Sequence, residues 1–183
     1  TGTILSTART FNQGSAGTFG QYLPAWDDSD VIEFGSIGYI PLVKSNAAFR
    51  SNVGFLNVGT RVCEVEVELR RGDGSQLGNT LEYTVAAGEY WQRDDIFRNV
   101  GAQDVAYAVV NTTSATCGFW AFGSVVDNGT NDPTTVPVTT SAPFQRHAIA
   151  GIAHATGAQN SVWRSNIAVI NPVNQSTELT LTY

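Results

Sequence analysis

The sequence predicts an all-β protein of immunoglobulin-like sandwiches, one complete and one divided between the two ends of the chain. Three observations lead there. Apolar and polar residues alternate in short runs, the two-residue period of a strand with one face on a core. Turn signals fall about every 8–12 residues, the spacing of a sandwich or barrel, and no stretch sustains a helical period. One motif also occurs twice: Phe49-Arg50-Ser51-Asn52-Val53-Gly54-Phe55-Leu56-Asn57 returns 114 residues later as Trp163-Arg164-Ser165-Asn166-Ile167-Ala168-Val169-Ile170-Asn171.

A repeat changes how every other signal is read. Each copy leads into an alternating run, Cys63-Glu64-Val65-Glu66-Val67-Glu68-Leu69 in the first and Thr177-Glu178-Leu179-Thr180-Leu181-Thr182-Tyr183 in the second. The front of the chain has its own counterpart. Ile4-Leu5-Ser6-Thr7-Ala8-Arg9-Thr10-Phe11-Asn12-Gln13-Gly14 resembles Phe119-Trp120-Ala121-Phe122-Gly123-Ser124-Val125-Val126-Asp127-Asn128-Gly129, at an offset of about 115. Both runs close on a polar-Gly turn, and both then reach a proline, Pro24 or Pro137. The expected order is tail, complete domain, head. Residues 36–138 form the complete sandwich, and residues 1–26 and 148–183 are two halves of a second one, closed either within one chain or across subunits. Residues 27–35 and 139–147 are polar linkers. Thr1 stands where a Met would open a full gene product, so the chain reads as a processed product or a segment of a longer protein.

Within the complete unit the first strand is Ile37-Gly38-Tyr39-Ile40-Pro41-Leu42-Val43, matched later by Ala148-Ile149-Ala150-Gly151-Ile152-Ala153-His154. In the run from Cys63, the residues Cys63, Val65, Val67 and Leu69 share the core face and Glu64, Glu66 and Glu68 share the other. The glutamates read as a solvated stripe that discourages edge pairing. Arg71-Gly72-Asp73-Gly74 is a turn in which Gly supplies positive φ. Strands follow at Thr80-Leu81-Glu82-Tyr83-Thr84-Val85, from Tyr90, from Val105 and from Gly118, with one helical turn over 94–99.

Composition bounds the function. Charged residues make up 14% of the 183 positions, Gly numbers 18 and Met 0, the profile of a β-rich secreted protein. The hydrophobic share of 42% is enough to build cores. A net charge of −6 without any basic stripe argues against nucleic acid. No run is long enough to span a bilayer, so membrane insertion is not expected. Cys63 and Cys117 are the only cysteines, and three readings stand: a disulfide first, two buried thiols second, reactive chemistry last. A bond would close a loop of about 55 residues, be worth roughly 3–4 kcal/mol, and mark an oxidising compartment.

The repeated Arg-Ser-Asn motif, the alternating strands and the segment 119–134 resemble a tandem immunoglobulin-like β-sandwich repeat of bacterial secreted and cell-surface proteins. The resemblance covers nearly the whole chain. It implies a fold and no catalytic residues, since such domains serve as surface, spacer or appended modules.

Candidate chemistry is thin. Asp127-Asn128-Gly129-Thr130-Asn131-Asp132 is oxygen-rich, so Asp127, Asn128 and Asp132 are weak calcium candidates, with an ordinary inter-strand loop the stronger reading. No other cofactor is expected. Asp27, Asp28 and Asp30 read as a solvated linker, and His147 and His154 fall on opposite faces of a strand. No Gly-x-Ser-x-Gly elbow occurs. Arg50 and Arg164 suit a structural role, stacked on an aromatic or paired with a carboxylate such as Asp94 or Asp95. Arg71-Gly72-Asp73 reads as a chance tripeptide, and Asn111, Asn128 and Asn174 head weak glycosylation patterns. Trp26 and Trp91 are the tryptophans expected to make surface contacts.

The expected function is that of a non-catalytic extracellular or cell-surface structural protein. Its copies would join head-to-tail by β-strand contacts into a filament, tube or surface layer. The assembly residues are Ile4, Leu5, Phe11, Trp163, Ile167, Val169, Leu179, Leu181 and Tyr183. Partners are copies of itself, with the cell surface or a polysaccharide as further possibilities. The alternative is a carbohydrate- or surface-binding module of a larger secreted hydrolase.

Overall fold

The computed structural model describes residues 6–15, 17–140, 148–158 and 161–182. Two compact units divide the chain, Thr1–Thr140 and Ser141–Tyr183. The architecture is all-β, with antiparallel pairing throughout the described residues and a three-residue 3-10 turn at Asp28–Asp30.

The first unit contains two five-stranded sheets face to face. One runs β11-β10-β5-β8, with β3 also on β10. These are β3 (Ile32–Glu33), β5 (Phe49–Asn57), β8 (Tyr90–Arg93), β10 (Gly118–Asp127) and β11 (Pro133–Pro137). The other runs β12-β4-β9-β6-β7. Its strands are β4 (Gly38–Ser45), β6 (Cys63–Arg71), β7 (Gln76–Val85), β9 (Gln103–Thr112) and β12 (Thr139–Thr140). Alternation on β6 works as the sequence predicts: Cys63, Val65, Val67 and Leu69 are buried in the core with Phe55 and Phe119. The sheets therefore meet through the apolar faces of their central strands, as a sandwich requires. Residue Ile32 of β3 is fully buried and belongs to this core.

Three local features depart from the sequence reading. β6 lies between β9 and β7, so its glutamates do not guard an edge. Residues 94–99 form turns without helix. The Ile96 N–H donates to Ser51 O at 2.9 Å, the Asp95 N–H to Asn52 Oδ1 at 3.0 Å, and Ile96 and Phe97 sink into the core. Burial of two apolar side chains at the end of the sandwich outweighs the local helical preference. β4 is bulged at Pro41-Leu42: Ile40 faces Ala108 and Val43 faces Ala106, and Leu42 takes φ 57°. Proline cannot donate to the ladder, and the extra residue keeps Ile40 and Val43 on the same inward face.

The N-terminal hairpin, β1 (Thr7–Gly14) with β2 (Gly17–Pro24), belongs to the first unit. It docks through polar contacts. Ser124 Oγ donates to Gln21 Oε1 at 2.8 Å, the Gly20 N–H to Asp132 Oδ1 at 3.0 Å, and Thr135 Oγ1 to Tyr22 O at 2.5 Å. Among the described residues the second unit has one short hairpin, β13 (His154–Thr156) with β14 (Val162–Arg164). Residues 165–182 carry no strand, so the alternating run 177–182 is not paired among the described residues.

Candidate functional site

Cys63 and Cys117 are bonded across the start of β6 and the residue before β10, with Cα atoms 5.1 Å apart. This settles the three readings of the pair in favour of the disulfide. Both residues lie in the core, so the bond ties the two sheets together.

The repeated motif closes on the same asparagine turn at both of its sites, although the first copy is strand throughout and the second is strand only to Arg164. In the first copy, Asn57 Nδ2 donates to Arg61 O at 2.8 Å and Asn57 Oδ1 accepts from the Gly59 N–H at 2.9 Å. In the second, Asn171 Nδ2 donates to Gln175 O at 2.6 Å and Asn171 Oδ1 accepts from the Val173 N–H at 3.2 Å. The same side chain closes the same turn on residues two and four ahead. The hairpin at the front of the chain follows suit. Thr7 faces Pro24 and Thr10 faces Gln21 in β1–β2, where Phe122 faces Pro137 and Val125 faces Thr134 in β10–β11.

Surroundings differ sharply between the copies. Val53, Phe55, Val65 and Val67 are at most 1% exposed, while their counterparts Ile167, Val169, Leu179 and Leu181 are 45%, 60%, 56% and 66% exposed. Trp163 is 61% exposed and Phe11 54%. β10 has strand neighbours on both edges, β11 and β5. Its counterpart β1 has one among the described residues, β2. Ile4, Leu5 and Tyr183 of the expected assembly set lie outside the described residues, as does His147.

Other expected sites resolve into structural roles. Arg50 does not meet Asp94 or Asp95; its guanidinium donates to Asn128 Oδ1 at 2.8 Å and Asn131 Oδ1 at 3.1 Å. Asp94 instead pairs with Arg98 at 2.9 Å, and Lys44 Nζ lies 3.6 Å from the Phe49 ring centroid. Trp91 is half-buried, and its ring packs on Phe55 and Tyr83. Trp26 stacks on Trp120 and Phe122. Asp127 Oδ1 accepts from the Gly129 and Thr130 N–H groups, both at 2.8 Å. The Thr130 hydrogen bonds hold its carboxyl below the ordinary range. That oxygen is turned into its own loop. No group of three or more His, Cys, Asp or Glu is placed to hold a metal among the described residues. Asp73 likewise accepts from Ser75 within the Arg71-Gly72-Asp73 turn. No helix among the described residues is long and apolar enough to cross a membrane.

The sequence reading named neither the Asn57 turn, the Arg50–Asn128 link nor the buried Gln21–Ser124 bond. A signal was available for the first two, since the motif keeps Arg and Asn at the same places in both copies.

No protein-family model, curated protein or solved structure matches the chain.

Proposed function

We propose that the protein is a non-catalytic extracellular structural subunit whose copies join head-to-tail through β-strand contacts. One observation carries the reading. Four apolar positions buried in the first copy of the motif are exposed in the second, on a segment with the same closing turn. Large apolar side chains left exposed together on one segment are candidates for an interaction site. Covering four such side chains is worth roughly 6–12 kcal/mol before ordering costs. Each surface is exposed in its own unit, and the proposed cover is another copy. The contact is between unlike surfaces, β1 on one copy and the 163–182 segment on the next. Such contacts make rings or open filaments. The disulfide suits the oxidising compartment of a secreted protein.

Sedimentation and electron microscopy of the purified protein test this. Concentration-dependent rings or filaments are expected, and Leu179→Asp with Leu181→Asp should abolish them while the first unit stays folded. A species that remains monomeric at every concentration, or assemblies that persist in the double variant, would sink the reading.

A second reading has its own support. Tyr90, Phe122, Trp26 and Trp120 form an aromatic cluster, with neighbouring rings 15–27° from parallel and Tyr90 56% exposed. Such a cluster suits stacking on sugar rings. Retention on insoluble polysaccharide, lost in Tyr90→Ala, would move the carbohydrate-binding module ahead.

A further inference from the structure

We infer that the free edge of β1 receives residues 163–169 of a second copy, antiparallel, in one register: Thr7 opposite Ala168, Ala8 opposite Ile167, and Phe11 opposite Arg164. The inference rests on the self-assembly reading and specifies its joint. The template is the pairing of β10 with β5, in which Phe122 faces Gly54, Gly123 faces Val53 and Ala121 faces Phe55. β1 stands in for β10 because its hairpin with β2 repeats the β10–β11 register. The segment from Trp163 stands in for β5 because it carries the same motif and the same closing turn.

Side-chain volume supports that register independently. The Phe122 ring lies directly on Gly54, where a Cβ would collide with it. At the proposed joint the ring position is Thr7, and the glycine position has become Ala168. A smaller residue on one strand allows a larger one opposite. Gly123 against Val53 becomes Ala8 against Ile167, and Ala121 against Phe55 becomes Ser6 against Val169. Each pair keeps a small residue on the β1 side and an aliphatic or aromatic one on the other. A one-residue slip would reverse the faces and place Ile167 and Val169 in water. The polar clamp has a counterpart too. Arg50 is held by Asn128 in the turn after β10, and the position matching Asn128 is Gln13, near the end of β1, whose side-chain oxygen can accept from Arg164.

Cysteine pairing tests the register. Residues directly opposite on antiparallel strands have Cα atoms about 4.5–5.5 Å apart, within disulfide range. Ala8→Cys and Ile167→Cys chains are purified separately, mixed under mild oxidation and separated without reductant. Sedimentation is run on the same mixtures. A disulfide-linked dimer needing both variants is expected, and none when Asn12→Cys replaces Ala8→Cys. Cross-linking through Asn12→Cys instead would leave assembly standing and overturn the register. Assemblies with no cross-link at either position would overturn strand pairing as the joint. A single chain carrying both Ala8→Cys and Ile167→Cys that closes its own bond as a monomer would overturn the second copy. Absence of any assembly would sink the self-assembly reading itself.

Discussion

Asn57 and Asn171 hold the same turn in two units, each side chain donating four residues ahead and accepting from two ahead. Their burial differs. Asn57 is fully buried and its Nδ2 also donates to Val85 O at 3.0 Å, whereas Asn171 is exposed. Asn57→Ala removes the partner of the buried Val85 carbonyl and of the part-buried Arg61 carbonyl and Gly59 N–H. A loss of about 2–3 kcal/mol is expected for the first unit. Asn171→Ala should leave the first unit's unfolding unchanged. Urea titrations of both variants check the contrast, and equal losses would contradict it.

The fold was legible where periodicity carries the information. Cys63, Val65, Val67 and Leu69 face inward because the strand alternates, and no tertiary detail is needed to see it. Segment 94–99 was misread because Asp94 and Asp95 suggest a helix start, while Ile96 and Phe97 are claimed by the core from outside the segment. Arg50 was misassigned for a related reason. Charge suggested a carboxylate, but the topology brings the Asn128 and Asn131 amides to the guanidinium. Of the candidate site, the exposed residues were legible from the repeat alone. Their edge was not, since strand neighbours depend on sheet order.

The disulfide should contribute measurably. Cys63 and Cys117 are separated by 54 residues, and cross-linking a loop of that size restricts the unfolded chain. Cys63→Ala with Cys117→Ala is expected to lower stability by about 2–4 kcal/mol. Denaturant unfolding with and without reductant measures it. The native protein should show no thiol that reacts with a thiol reagent, and two reactive thiols would refute the bond.

Acid should weaken the first unit through its turns. The Asp127 carboxyl is held below its ordinary range by hydrogen bonds from Thr130. Asp73 is lowered by hydrogen bonds from Ser75, and Asp27 by those from Ser29. A carboxyl lowered in the folded state binds its proton more readily when unfolded. Its stabilisation is therefore present above the unfolded value of about 3.9 and is lost as pH falls through the lower native value. Unfolding midpoints should fall through that window. Replacing Asp27, Asp73 and Asp127 by Asn should flatten the acid limb by lowering stability at neutral pH, with little change in acid, where the native contribution is already lost. An unchanged acid limb in the triple variant would show that these turns do not carry it.

Docking of the N-terminal hairpin should depend on one buried pair. Ser124 Oγ donates to Gln21 Oε1 at 2.8 Å; Ser124 is 2% exposed and Gln21 9%. Gln21→Leu removes the acceptor and leaves the Ser124 hydroxyl unsatisfied. A buried polar group left in that state costs about 1–3 kcal/mol. Ser124→Ala has the mirror effect on the Gln21 amide. Replacing both removes the bond and the orphaned groups together, so the double variant should be more stable than the sum of the single losses predicts. A double-mutant cycle reads this directly, with a coupling of roughly 0.5–3 kcal/mol expected for residues in contact. The hairpin also carries the β1 edge, so hydrogen exchange at Thr7–Gly14 should rise in each single variant and recover in part in the double. Additive losses with no change in exchange would show that the hairpin is held by its other contacts, through Asp132 and Thr135.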